Sequence, residues 1–281
     1  MRSGVRAILA VCLTAGLAAA GQAPPDAATV LAKAREALGG AKKLDAIKTI
    51  VAQGETRQVR GENLVPIVFE INIELPGKYS RRDETPAVES GYTTSGFSGD
   101  DLIQLPVPSA PAMAPMAQRP GGPPPPTPEQ LAARAATQRA TRVAALKQDY
   151  ARLMLGLFAA STEAFPLTFA RLGIAESPQG KADVIGVTGP NNFKANLLIN
   201  QETHLPVMLS WIPPAPPARP GAPASAPLEQ RLYFADFRDA GGATWPYRIR
   251  RAVGAETTEE TTFDRFKLNV KIDPKKFEVV K

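Results

Sequence analysis

Ile67-Val68-Phe69-Glu70-Ile71-Asn72-Ile73-Glu74-Leu75 is the stretch on which the fold turns. Ile67, Phe69, Ile71, Ile73 and Leu75 fall on one side of an extended chain, and Val68, Glu70, Asn72 and Glu74 on the other. A period of two marks a strand with one apolar and one wet face. Downstream, Pro76-Gly77 turns the chain into a strand over Lys78–Asp83, and Gly91–Phe97 and Asp101–Leu105 read as further short strands.

The second half continues in the same way. Strands are predicted over Phe165–Ala175, Ala182–Thr188, Phe193–Asn200, Leu205–Ile212, Glu229–Phe237, Thr244–Val253 and Glu256–Leu268. Gly189-Pro190-Asn191-Asn192, Glu202-Thr203-His204 and Asp239-Ala240-Gly241-Gly242 are the turns between them. These intervals leave no room for crossover helices, so the sheet should be antiparallel, with about ten or eleven strands.

Two helices interrupt the strands. The first is capped by Asp26, presents Val30, Leu31, Ala34 and Leu38 on one face, and stops at Gly39-Gly40. The second starts at Thr127-Pro128-Glu129 and carries Val143, Leu146, Tyr150, Leu153 and Leu157 at three-four spacing, widened by Met154 and Phe158. Its arginines, Arg134, Arg139, Arg142 and Arg152, are expected in solvent. The class is therefore α+β, mostly β. Proline-rich stretches at 106–128 and 213–227 read as surface insertions in a single domain spanning 21–281.

The beginning of the chain carries an export signal. Arg2 and Arg6 precede an apolar run from Ala7 to Ala20, too short to span a bilayer, and small residues suited to cleavage follow. Residues 1–20 are predicted as a signal peptide, which places the mature protein in the periplasm. Cys12 is the only cysteine and lies in the apolar run, where Leu9-Ala10-Val11-Cys12 loosely resembles a lipobox; the reading preferred here is an ordinary residue of the signal. The net charge of +6 falls to +4 once Arg2 and Arg6 are removed. That surplus is modest and spread out. Export argues against a nucleic-acid partner, and at most peripheral contact with anionic lipid is expected. Arg248, Arg250 and Arg251 read as a solvated strand face, and Lys271, Lys275 and Lys276 as a tail.

No catalytic constellation stands out. His204 is the only histidine and lies in a turn, with no Gly-x-Ser-x-Gly elbow to partner it. A histidine- or cysteine-based metal site lacks its ligands, and no glycine loop suits a phosphate. Glu70 and Glu74 share a strand face, and Asp236 and Asp239 flank a turn. They read as solvated polar groups, since acid-base work needs a cleft that drives two pKa values apart. No catalytic residue, metal or cofactor is expected.

Asn196-Leu197-Leu198-Ile199-Asn200 through Leu205-Pro206-Val207 forms a strand, a turn and a strand opening on Leu-Pro. Phe234-Ala235-Asp236-Phe237-Arg238-Asp239 leads through Gly241-Gly242 to Trp245-Pro246-Tyr247-Arg248-Ile249, and Ile272-Asp273-Pro274-Lys275-Lys276-Phe277 closes the chain. This succession resembles the outer-membrane lipoprotein carrier (LolA/LolB-like) superfamily of envelope proteins, from about Lys48 to Phe277. The proline-rich insertions, and the long helix after the first of them, depart from its pattern. The resemblance implies a curved antiparallel half-barrel whose concave side is covered by two helices and binds acyl chains of lipids or lipoproteins. It would act as a monomeric carrier or chaperone; an envelope stress sensor or scaffold that binds a protein partner is the alternative. Cavity residues expected on that reading are Phe69, Ile71, Ile73, Leu209 and Trp211 from strands, with Leu153 and Leu157 from the helix above. Ordinary core packing is the competing role for each.

Overall fold

The computed structural model describes residues 25–86, 91–106, 126–177, 180–215 and 226–279. The signal segment with Cys12, and most of both proline-rich stretches, lie outside the described residues.

Helix α1 (Ala27–Ala37) opens under Asp26, whose carboxylate accepts the Thr29 N–H, and buries Val30, Leu31 and Ala34. Gly39 and Gly40 end it with positive φ. A β-carbon on Gly39 would stand 2.6 Å from the Gly242 carbonyl oxygen, so this stop doubles as a close contact with the sheet. After the short helix α2 (Ala41–Asp45) come five strands: β1 (Thr49–Arg60), β2 (Asn63–Glu74), β3 (Lys78–Glu84), β4 (Tyr92–Ser98) and β5 (Asp101–Leu105). Helix α3 (Pro128–Phe158) leads into β6 (Thr168–Ser177), β7 (Gly180–Gly189), β8 (Phe193–Asn200), β9 (Pro206–Trp211), β10 (Gln230–Asp239), β11 (Thr244–Val253) and β12 (Glu256–Leu268).

All twelve strands form one open antiparallel sheet in the order β5-β4-β3-β2-β1-β12-β11-β10-β9-β8-β7-β6. The sheet is a curved half-barrel, as the family resemblance implies, and its antiparallel pairing is the one the alternating strands and short turns predict. Eleven of its strands are those read from sequence, within a few residues. The twelfth, β1, carries no clear strand signal, because its inward positions Ile50, Ala52, Gly54 and Thr56 are mostly small or polar, which flattens the hydrophobic alternation. Gly54 has to be small: a β-carbon there would lie 2.1 Å from the Thr262 carbonyl oxygen.

The strand order dictates where α3 goes. β5 and β6 are consecutive strands on opposite edges of the sheet, so the 31-residue helix between them must cross its concave face. At 1.5 Å per residue the helix is roughly 46 Å long. Thr127 caps it in a reciprocal capping box with Gln130, and Pro128 occupies the first turn. Its first half, through Arg142, is exposed; the second half enters the core.

Two sequence expectations are corrected. The wet face of β2 is roofed in part: Asn72 is only 3% exposed, as is Ser80 at 2%, on the convex side beneath the C-terminal tail. There Ile272 and Phe277 pack with Ile103 in a small second core, and Lys276 Nζ reaches Glu70. Arg152 does not face solvent, being 8% exposed. Local periodicity put it off the helix stripe, but from Tyr150 to Phe158 the helix is apolar on nearly every side, and such a segment is buried all round.

Candidate functional site

The concave face is lined by side chains from nearly every strand. Ile50, Phe69, Ile71, Ile73, Tyr79 and Phe97 from one half meet Leu197, Leu209, Trp211, Phe234 and Trp245 from the other, in one continuous apolar cluster. Helix α3 closes it with Tyr150, Met154, Leu157 and Phe158. Aromatic rings pin the helix at both sides. Tyr150 meets Phe97 edge-on at 5.4 Å and Tyr79 at 5.7 Å, while Phe158 lies 5.4 Å from Trp245. Burial pushes the Tyr79 hydroxyl up to about 12. At Gly156 the helix lies close to the sheet, and the Phe234 ring occupies the space a β-carbon would need.

The seven residues expected to line a cavity are brought together here. Phe69, Ile71, Ile73, Leu157, Leu209 and Trp211 are buried in the cluster, and Leu153 packs against it half-buried. They fill the space between helix and sheet, and none of them lines either hollow described next. One hollow, of about 590 Å³, runs between α3 and the edge hairpin β4–β5. Leu102, Ile103, Leu105, Pro106, Ala145 and Leu146 give it an apolar lining, with Arg142 and Asp149 at its polar side. A second, of about 290 Å³, opens at the C-terminal end of α3 among Leu44, Ile47, Leu75, Met154 and Phe158, with Arg35 and Lys48 beside it. Ligand sites commonly span about 300–1,000 Å³, so the first is of ligand size and the second at the lower bound.

Three arginines within the concave face are held in specific pairs. Arg81 lies 4.7 Å over the Phe69 ring, donates from Nε to Asp83 at 2.7 Å and from Nη2 to the Thr56 hydroxyl at 3.1 Å. Arg152 lies 4.3 Å over the Trp211 ring and 5.3 Å from the Phe193 ring centre, with Nη1 donating to Asp149 at 2.9 Å. Burial draws its guanidinium below the usual range, and the Asp149 carboxylate works against that shift. Arg171, on edge strand β6, is paired with Asp183 at 2.6 Å, both largely buried.

The carboxylates considered for acid-base chemistry stand apart. Glu70 is on the convex side, where partial burial opposes its charge but hydrogen bonds from Lys276, Asn72 and Gln53 outweigh it and hold the carboxyl at about 2. Glu74 pairs with Lys78, Asp236 with Arg238, and Asp239 accepts the Gly241 and Gly242 N–H groups of its turn. His204 sits in the β8–β9 turn at φ 57°. Among the described residues no three metal-ligating side chains gather, and no helix is long and apolar enough to cross a membrane.

An open, curved antiparallel sheet with a helix laid across its hollow defines a half-barrel fold. The chain superposes on the crystal structure of a LolA superfamily protein from Nitrosomonas europaea with a TM-score of 0.54 and 16% identity, over 91% of this chain and 98% of that one. A putative outer membrane lipoprotein-sorting protein domain from Vibrio parahaemolyticus matches more loosely, with a TM-score of 0.47 and 10% identity over 89% and 97% of the two chains. A DUF1329 family protein from Desulfovibrio piger also gives 0.47, with 8% identity over 90% and 97%. At 16% identity the likeness to the Nitrosomonas protein is one of fold. No family model matches the sequence, and no curated protein matches it.

Proposed function

We propose that this chain is an exported periplasmic protein that binds acyl chains of lipids or lipoproteins and carries them, working by burial and without catalysis. The observation that carries this reading is the apolar concave face roofed by α3, with α1 packed into the same core, and an apolar-lined groove of about 590 Å³ along α3. Each methylene taken from water contributes about 0.8 kcal/mol, so such a site needs no conspicuous polar motif. Phe69, Ile71, Ile73, Leu209 and Trp211 below, with Leu153 and Leu157 above, become the chain-contacting surface when α3 lifts from the sheet. The groove beside Leu102 and Leu146 is where a chain would enter. Native mass spectrometry of protein purified from the cell envelope, with lipid extraction, tests this. Copurifying acyl lipid, displaced by a fluorescent fatty acid, is the expected result; a lipid-free protein that takes up no acyl probe refutes it.

One observation favours the second reading, a module that binds a protein partner. Edge strand β6 exposes Leu172 at 63% and Ile174 at 52%, beside unpaired backbone edge. Changing both to Thr should abolish partner capture on that reading and leave acyl-probe uptake untouched on the first.

A further inference from the structure

Two arginines from different elements converge on one indole. Arg152 of α3 lies 4.3 Å over the Trp211 ring, and Arg251 of β11 lies 5.7 Å from the same ring centre. They differ in their partners. Arg152 gives Nη1 to Asp149 and Nη2 to Gln148, while its Nε is buried with no hydrogen-bond acceptor. Arg251 makes no side-chain hydrogen bond or ion pair among the described residues. Its ladder neighbour on β12 is Glu259, with which it forms no ion pair.

Strand alternation separates Arg251 from its basic neighbours. Arg248 pairs with Glu260 at 3.2 Å, and Arg250 stacks 4.5 Å over Tyr233. Arg251 projects to the opposite side, where its ladder partner on β10 is the buried Leu232. The β11–β12 register shifts immediately after Arg251, and bulges of this kind re-aim side chains near sites. Burial draws Arg152 toward the neutral form, Asp149 opposes that, and the like charge of Arg251 near the same ring adds to the pull. An arrangement that brings like charges together, leaves one unpaired and buries an unused N–H gains from an anion placed between them.

We propose that Arg251, Arg152 and Trp211 form an oxyanion-binding site at the β9–β11 side of the lid helix, suited to the phosphate of an anionic lipid headgroup. The proposal rests on the carrier reading for the lipid, and on the arginine geometry alone for the phosphate. Arg251, half-exposed, meets the anion first; Arg152 then shares it with Asp149. The acyl chains would run inward from there, under α3.

The test uses isothermal titration of the full mature chain at low ionic strength with three probes: dihexanoyl phosphatidylglycerol, dihexanoylglycerol and inorganic phosphate. The anionic lipid should bind about tenfold tighter than the neutral one, equivalent to about 1.4 kcal/mol. Arg251→Gln should erase that advantage and leave dihexanoylglycerol unchanged, Arg251→Lys should restore most of it, and Arg250→Gln on the other face should change nothing. Arg251-dependent binding of inorganic phosphate with no lipid bound would support the anion site with free phosphate as its source, and would remove the carrier reading. Equal binding of the anionic lipid by wild type and Arg251→Gln overturns the anion site while retained lipid binding leaves the carrier intact. Binding of none of the three probes overturns both.

Discussion

Gly156→Ala puts the contact between lid and sheet to a quantitative test. The added β-carbon would lie 2.4 Å from Phe234 Cε1, 2.7 Å from Cζ and 2.9 Å from Cδ1, all on one ring. Carbon atoms rest about 3.5–4.0 Å apart, so ring or helix must yield by more than an ångström. Phe234 is 4% exposed and sits on β10 within the continuous core, which gives it little room. Overpacking of this kind costs about 1–3 kcal/mol. Against it stands the helical preference of Ala over Gly, up to about 1 kcal/mol. The balance is a net loss of about 0–2 kcal/mol, a fall in melting temperature of about 2–4 °C for each kcal/mol in a protein of this size. Urea unfolding followed by far-ultraviolet circular dichroism measures it. The decisive comparison is with Phe234→Ala, where the clash is gone: the same Gly156→Ala change should then stabilise by up to about 1 kcal/mol. If Gly156→Ala stabilises the wild-type background equally, the helix does not rest on Phe234 and the lid is wrongly placed.

Other perturbations probe the remaining contacts. Arg152→Ala removes a desolvated cation from the Trp211 face, an interaction worth about 2 kcal/mol, and should shift tryptophan emission to longer wavelength, since Trp211 becomes wetter while Trp245 stays enclosed; unchanged emission would show that the stack is not formed. Asp183→Ala strands the buried Arg171 charge on edge strand β6 and should cost about 3–5 kcal/mol, whereas the double change Arg171→Met, Asp183→Leu should recover much of it. Equal losses in the single and double variants would mean the pair is solvated. Glu70 is held at about 2 against an ordinary 4.5, so its folded pKa is depressed. Its contribution is full above about pH 4.5 and disappears as pH falls through about 2, and urea midpoints measured from pH 5 to pH 2 should drop less steeply in Glu70→Gln than in wild type; parallel curves would remove Glu70 from the acid sensitivity.

Much of the architecture was legible because strand signals are local. Ile67–Leu75 declares its two faces within nine residues, and the turn chemistry at Asn191-Asn192 and Gly241-Gly242 closes hairpins between sequence neighbours. Thr127-Pro128 marks a helix start for an equally local reason, the unpaired N–H groups of a first turn. The antiparallel, mostly-β class follows from such signals, while the curvature was implied by the family resemblance. Alternation and helical spacing also decide which way the seven residues expected to line a cavity point; they lie in the packed space between helix and sheet and line neither hollow.

What the tertiary structure alone decided depends on partners distant in the chain. Pairing of β1 with β12 joins the two halves across some two hundred residues and makes one sheet of twelve strands. It also sets β5 and β6 on opposite edges, which forces α3 over the hollow. Arg152 is buried because that crossing brings it to Trp211, and Asn72 because the C-terminal tail folds back over β2. Gly156 is required small only where Phe234 meets it. Sequence periodicity assigns a face to each residue, but what lies against that face is fixed by contacts whose free energy exists only once the sheet has closed around the helix.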